Sequence, residues 1–139
     1  RIIPSSKINF HYRGSDLSDG LIFISATFKG HIAKKKDIMK KMETFLKTKQ
    51  KSQPSKIKTC GSTFKNLENK KAWELIKESG CHGMKVGDAQ ISEKHCNFFI
   101  NNGNAKSSDL EELINKVKKG VFDHTGKKLE LELQIIGKK

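Results

Sequence analysis

The sequence predicts an α+β fold, a small and mainly antiparallel sheet with helices on one face. Two observations carry that expectation. Leu129, Leu131, Leu133 and Ile135 alternate with Glu130, Glu132 and Gln134, the strict period of two that belongs to a strand with one covered face. Upstream, Leu110, Leu113, Ile114, Val117 and Val121 recur at helical spacing before Gly126. With 139 residues, 35% of them hydrophobic, and a mean hydropathy of −0.62, the chain has material for one small core.

Each element has its own reason. Residues 1–20 are polar and turn-rich, ending at Asp19-Gly20. The run Leu21-Ile22-Phe23-Ile24-Ser25-Ala26-Thr27-Phe28 has strand length and β-branched content, which predicts a well-buried strand. Ile38, Met39, Met42, Phe45 and Leu46 return at helical spacing, with Asp37 near the start and lysines opposite, until Gln53-Pro54 stops the pattern. Gly61-Ser62-Thr63 interrupts the next extended piece. A helix is expected near 69–79, capped by Asn66 or Asn69, striped by Ala72, Leu75 and Ile76 and stopped by Gly80, with Trp73 at the margin of the stripe. Gly83 and Gly87 mark turns, residues 96–100 read as a strand, and Asn101-Asn102-Gly103 as a turn. Ser108-Asp109-Leu110-Glu111 looks like a capping box that opens a helix running to about Thr125. The alternating strand at 129–135 should pack under that helix and leave the face carrying Glu132 for solvent, a partner or a ligand.

Composition narrows the function classes. No apolar run approaches the ~20 residues of a membrane-spanning helix, so no membrane role is expected. The chain starts at Arg1 with no initiator Met and no leader pattern, so it is expected to be a fragment without a secretion signal. The net charge is +13, with 26 lysines and only Arg1 and Arg13 as arginines. Residues 1–58 hold 14 basic and 4 acidic groups, whereas 59–139 hold 14 and 11, so the excess gathers between Lys29 and Lys58. Such a patch draws anions, yet a nucleic-acid reader normally favours the bidentate fork of arginine. The lysine bias is equally that of a solvated helix face in a lysine-rich proteome. Cys60, Cys81 and Cys96 are odd in number and widely spaced, which argues against a disulfide framework and for a reducing, cytoplasmic setting. No C-x-x-C or H-x-x-H spacing supports a metal site.

No Walker loop, dinucleotide fingerprint, zincin or nucleophile-elbow motif is present. Taken singly, the remaining candidates are ordinary: Gly-Ser is usually a turn, Asn66 a cap, Glu132 a solvated strand residue. Taken in order they form a pattern. Tyr12-Arg13 precedes the 21–28 run, and Gln53-Pro54 follows the next helix. Then come Gly61-Ser62-Thr63-Phe64-Lys65-Asn66, Ala72-Trp73-Glu74-Leu75-Ile76 running to Gly80, and Ser92-Glu93-Lys94-His95-Cys96-Asn97-Phe98 with Asn101. The chain closes on Leu129-Glu130-Leu131-Glu132-Leu133-Gln134-Ile135-Ile136-Gly137. Over nearly its whole length this resembles the C-terminal half of UDP-N-acetylenolpyruvoylglucosamine reductase, the flavoenzyme family of peptidoglycan precursor synthesis. Two positions depart from the family pattern: Leu67 stands where the family has proline, and Gln134 where it has arginine.

The resemblance implies a division of the chain. Residues 1–30 would be the C-terminal remnant of an FAD-binding domain, and 31–139 the substrate-binding domain. The Gly-rich pyrophosphate loop belongs to the family's N-terminal half, which this sequence lacks, so the chain would need that half as its partner. In the family NADPH reduces FAD, and a hydride then reaches the enolpyruvyl methylene of UDP-N-acetylglucosamine enolpyruvate, giving UDP-N-acetylmuramate. The resemblance assigns Arg13 to the substrate carboxylate, Ser62 to proton donation and Glu132 to positioning and polarising the carboxylate end. Tyr12, Lys65 and Asn66 would help to hold substrate. Two other readings compete. A catalytically silent remnant would explain the departures and the missing half. A small basic RNA-binding α+β module would explain the charge, but it predicts exposed aromatics on a sheet face, and aromatics are only 7% of the chain.

Overall fold

The computed structural model describes residues 1–18 and 20–137. It resolves into two compact units, Arg1–Lys34 and Lys35–Lys139.

In the first unit, β1 (Phe10–His11) and β2 (Gly14–Ser15) form a hairpin in which His11 pairs with Gly14. Tyr12 and Arg13 are therefore its two-residue tip, a loop that demands left-handed backbone. Arg13 supplies it at φ 61, an uncommon state for a residue with a side chain. A Cβ at Gly14 would overlap the exposed His11 imidazole, so that ring would have to turn aside. Asp16 clasps the base of the hairpin, accepting from Asn9 N at 2.9 Å and Asn9 Nδ2 at 2.8 Å.

The buried strand expected at 21–28 is not there. The segment has no regular secondary structure, and Ile22, Phe23, Ile24 and Phe28 are 74–93% exposed. A strand needs a ladder partner and a covering layer, and among the described residues the four-residue hairpin is the unit's only ladder. The turn expected at Asp19-Gly20 falls partly on Asp19, which lies outside the described residues; Gly20 has φ 88.

The second unit holds α1 (Lys35–Ser52), β3 (Lys58–Ser62), α2 (Ala72–Glu78), β4 (Lys85–Val86), β5 (Ala89–Ile91), β6 (Phe98–Asn101) and α3 (Ser107–Thr125). The four strands make one antiparallel sheet in the order β3-β6-β5-β4. The predicted stripe of α3 is the core: Leu113, Ile114, Val117 and Val121 are buried and cluster with Leu75, Ile76, Ile91 and Phe99. α3 lies on β4 and β5 and against α2, so α3 covers one face as expected. On the other face Phe98 and Ile100 are also buried, with the His95 ring 4.8 Å from that of Phe98.

Three local expectations need correction. α3 begins at Ser107, after Lys106, and the carboxylate reaching back is that of Asp109, which accepts from Lys106 N at 2.9 Å. Glu111 accepts from the Ser107 hydroxyl instead, at 3.3 Å. α1 forms over the predicted span, but its apolar stripe has no cover: Ile38, Met39, Met42, Phe45 and Leu46 are 44–71% exposed. The last strand is reduced to one bridge, Leu131 opposite Phe64, because among the described residues only the short 63–65 segment bonds to it. The burial alternation survives at Leu129, Leu131 and Leu133, which join the core, and fails at Ile135, which is 50% exposed beyond the bridge.

Candidate functional site

Strand β3 ends in a bulge. Thr59 pairs with Ile100 and Ser62 with Phe98, so three steps on β3 oppose two on β6. Gly61 carries the extra turn at φ 86, a left-handed value that favours glycine. Thr59 staples the bulge: its Oγ1 donates to Phe99 O at 2.8 Å and accepts from Gly61 N at 3.2 Å. Ser62, half-buried, is the last residue of the strand.

The residues after Ser62 are held on two sides. Thr63 N donates to Asn97 O at 2.8 Å, and Phe64 N donates to the Asn97 side-chain oxygen at 2.9 Å. Asn97 Nδ2 donates in turn to Phe64 O at 2.8 Å. On the opposite side, Glu132 N donates to Thr63 O at 2.9 Å and Lys65 N to Glu130 O at 2.8 Å. The Phe64 ring is fully buried and meets Phe99 edge-on, with centroids 5.8 Å apart. Thr63, the residue after Ser62, and Glu132 are thus the two ends of one backbone hydrogen-bond rung.

Lys65 and Asn66 continue the same segment. Lys65 pairs with Glu130 at 3.6 Å on an exposed surface, a contact of little energetic weight. α2 starts at Ala72, later than expected, and its N-cap residue is Lys71 rather than Asn66 or Asn69; Asn66 Oδ1 still accepts from Ala72 N at 3.1 Å and so satisfies an orphan donor from six residues back. Leu67 N donates to Lys70 O at 3.0 Å, a bond that proline could not make, and its side chain packs on the core. The departure at Leu67 is therefore absorbed locally. Gln134 is exposed. Tyr12 and Arg13 belong to the first unit, at the hairpin tip rather than before a strand at 21–28, with the Arg13 guanidinium 5.3 Å from the Tyr12 ring centroid.

The titratable neighbours are modest. Burial pushes the His95 imidazole below its usual range, partly offset by its backbone hydrogen bond. Its Nδ1 accepts from Asn97 N at 3.3 Å, which places the proton of the neutral ring on Nε2. Burial raises the Cys81 and Cys96 thiols. Among the described residues no three His, Cys, Asp or Glu side chains gather to hold a metal. No described helix is long and apolar enough to cross a membrane. The glycines of this unit sit singly, at the bulge, at turns, at helix ends such as Gly80 and Gly126, and within α3 at Gly120. They supply no run of adjacent backbone donors for a pyrophosphate, so these residues do not by themselves fit FAD.

Asn97 stands within the Ser92–Phe98 motif, and the pattern alone assigns it no contact. The signal was available: an asparagine between Cys96 and Phe98 in an apolar strand must find partners if buried.

Comparison with known proteins decides the family. Residues 53–136 match the family model described as UDP-N-acetylenolpyruvoylglucosamine reductase, C-terminal domain. The chain belongs to that family. A UDP-N-acetylenolpyruvoylglucosamine reductase of Pelagibacter ubique is 48% identical over 137 residues, covering 96% of this chain and 45% of the relative. One from Rickettsia bellii is 44% identical over 138 residues, covering 99% and 46%. A crystal structure of the reductase from Thermus caldophilus superposes with a TM-score of 0.76 at 34% identity, over 93% of this chain and 46% of that one. The chain therefore spans about half the length of the relatives it matches. The matched span contains the whole rung assembly from Ser62 to Glu132 and leaves out α1 and the hairpin.

Proposed function

We propose that this chain is the substrate-binding and proton-donating half of a cytoplasmic UDP-N-acetylenolpyruvoylglucosamine reductase, acting in peptidoglycan precursor synthesis. The observation that supports the reading is the rung between Thr63 and Glu132 within the matched domain, which ties the residue after Ser62 to the strand that carries Glu132. Residues 1–30 are the tail of an FAD-binding domain, and 31–139 the substrate domain. The uncovered apolar residues at 21–28 support that division, since they have strand character and no sheet of their own. FAD would be held by the other half and would supply hydride chemistry there.

The task of this chain's residues follows from the substrate, UDP-N-acetylglucosamine enolpyruvate. Hydride addition at the methylene carbon leaves an electron pair on the neighbouring carbon, delocalised into the carboxylate as an enolate. Arg13 grips that carboxylate with its forked guanidinium and stabilises the charge. Glu132 positions the carboxylate end. Ser62 delivers its hydroxyl proton to the carbon, completing the lactyl ether of UDP-N-acetylmuramate. A serine hydroxyl is a weak acid, but a carboxylate enolate is a strong enough base to take its proton. Tyr12, Lys65 and Asn66 orient the substrate, and the lysine excess between 29 and 58 draws in the doubly charged UDP group.

The reading is tested by comparing the chain alone with the same chain joined to the N-terminal half of the Rickettsia bellii relative. The joined protein should be yellow and oxidise NADPH only when the enolpyruvyl sugar is added. The 139-residue chain should be colourless and inactive. Flavin bound by the chain alone, or a yellow joined protein that never turns over this substrate, would overturn it.

A further inference from the structure

Asn97 is 3% exposed, yet every polar group it owns near the site is spent on two residues, Thr63 and Phe64. Its side-chain amide stands in for a strand residue: the oxygen takes Phe64 N–H and the nitrogen gives to Phe64 C=O, a reciprocal pair like a ladder rung. The reason lies in the bulge at Gly61. After the extra residue, β3 is out of step with β6, and an ordinary main-chain partner for Phe64 is missing on that side. The amide fills the gap. The segment it holds begins at the residue after Ser62, and its far side bears the hydrogen bond from Glu132. Asn97 itself is anchored at both ends, by Phe98 N–H to His95 O at 2.9 Å and by its own N–H to His95 Nδ1.

We infer that Asn97 is a positioning residue for the reaction, setting the distance between the Ser62 hydroxyl and the Glu132 carboxylate through the 63–64 backbone. The inference rests on the roles given to Ser62 and Glu132 above. Aspartate is nearly isosteric with asparagine and keeps the acceptor for Phe64 N–H. It loses the donor to Phe64 C=O and brings a carboxylate against that carbonyl. Asn97→Asp should therefore loosen the segment while leaving the core of α3 in place. A misplacement of about 1 Å at a reacting group can cost ~100-fold in rate.

The test has two arms. In the 139-residue chain, amide hydrogen exchange should quicken at least about tenfold for Phe64 and Glu132 in Asn97→Asp, while Leu113 and Val117 keep their protection. In the chain joined to a flavin half, reoxidation of reduced flavin by the enolpyruvyl sugar should slow roughly 10–100-fold. The substrate's dissociation constant and the rate of flavin reduction by NADPH should stay near the parent values. That split separates positioning from general loss of structure, which would weaken binding and protection throughout. Unchanged exchange at Phe64 and Glu132 would overturn the inference. So would faster exchange with reoxidation at the parent rate, provided Ser62→Ala is slow in the same assay. If Ser62→Ala also reoxidises at the parent rate, the reading of Ser62 has failed, and the role of Asn97 falls with it although the clamp stands.

Discussion

Replacing Gly120 with alanine should destabilise the second unit even though it improves a helix. Gly120 lies inside α3, where exchange to alanine ordinarily gains about 1 kcal/mol. Here an added Cβ would sit 2.7 Å from Cys81 Sγ, about 1 Å inside the ~3.5–4.0 Å spacing of non-bonded heavy atoms. Cys81 has no open side to move toward. It is 2% exposed, and its sulfur faces Ser79 O at 3.7 Å. Overpacking of this kind costs about 1–3 kcal/mol, so the single variant should lose up to ~2 kcal/mol net. In a Cys81→Ala background the obstruction is gone, and Gly120→Ala should return to its ordinary gain of about 1 kcal/mol. The two substitutions should thus couple by ~1–3 kcal/mol. Urea unfolding followed by Trp73, the chain's one tryptophan and part of the first turn of α2, reads the difference directly. An equal effect of Gly120→Ala with and without the Cys81 sulfur would refute the packing argument.

Further consequences are as specific. Leu131→Ala should cost about 1–3 kcal/mol, below the ~2–5 kcal/mol of a fully buried leucine such as Leu113, because Leu131 is only half-buried at its bridge to Phe64. Matched urea melts of the two variants check the order, and the reverse order would contradict it. His95 has a folded pKa lowered below its unfolded value of 6.5, so the unfolded chain takes up the proton first. Its contribution to stability is present above pH 6.5 and is lost as pH falls through the folded value. The difference in unfolding free energy between parent and His95→Gln should shrink from pH 7.5 to ~5, and a pH-independent difference would count against the buried neutral imidazole. Glu132→Gln, in the joined protein, should weaken handling of the enolpyruvyl sugar while NADPH still bleaches the flavin; a loss confined to NADPH oxidation would place Glu132 elsewhere.

Some of this was legible in the residues and some was not, for physical reasons. The stripe from Leu113 to Val121 became the core because helical periodicity and burial are the same fact seen twice. The alternation at 129–135 gave the core side correctly at Leu129, which is buried, and at Leu131 and Leu133, which are half-buried against the core. It could not give the ladder, because period two reports which side is covered and not how long a neighbour lies alongside. The run 21–28 reads as a buried strand from its length and β-branched content, yet it is exposed. Apolar composition records a need for cover, and the cover has to come from residues elsewhere. The six-part motif pattern named the family, which the comparisons showed. The clamp by Asn97 escaped it, because a side chain replacing a ladder rung depends on a one-residue bulge that Gly61 only hints at.

The central claim is that Ser62 gives the proton that completes the reduction. Its most direct test is Ser62→Ala in the joined protein, followed through both half-reactions by stopped-flow absorbance of the flavin. Flavin reduction by NADPH should proceed at the parent rate, while reoxidation by UDP-N-acetylglucosamine enolpyruvate should slow by about 10²–10⁴-fold, the usual loss of a general acid. Reoxidation at the parent rate in Ser62→Ala would contradict the account.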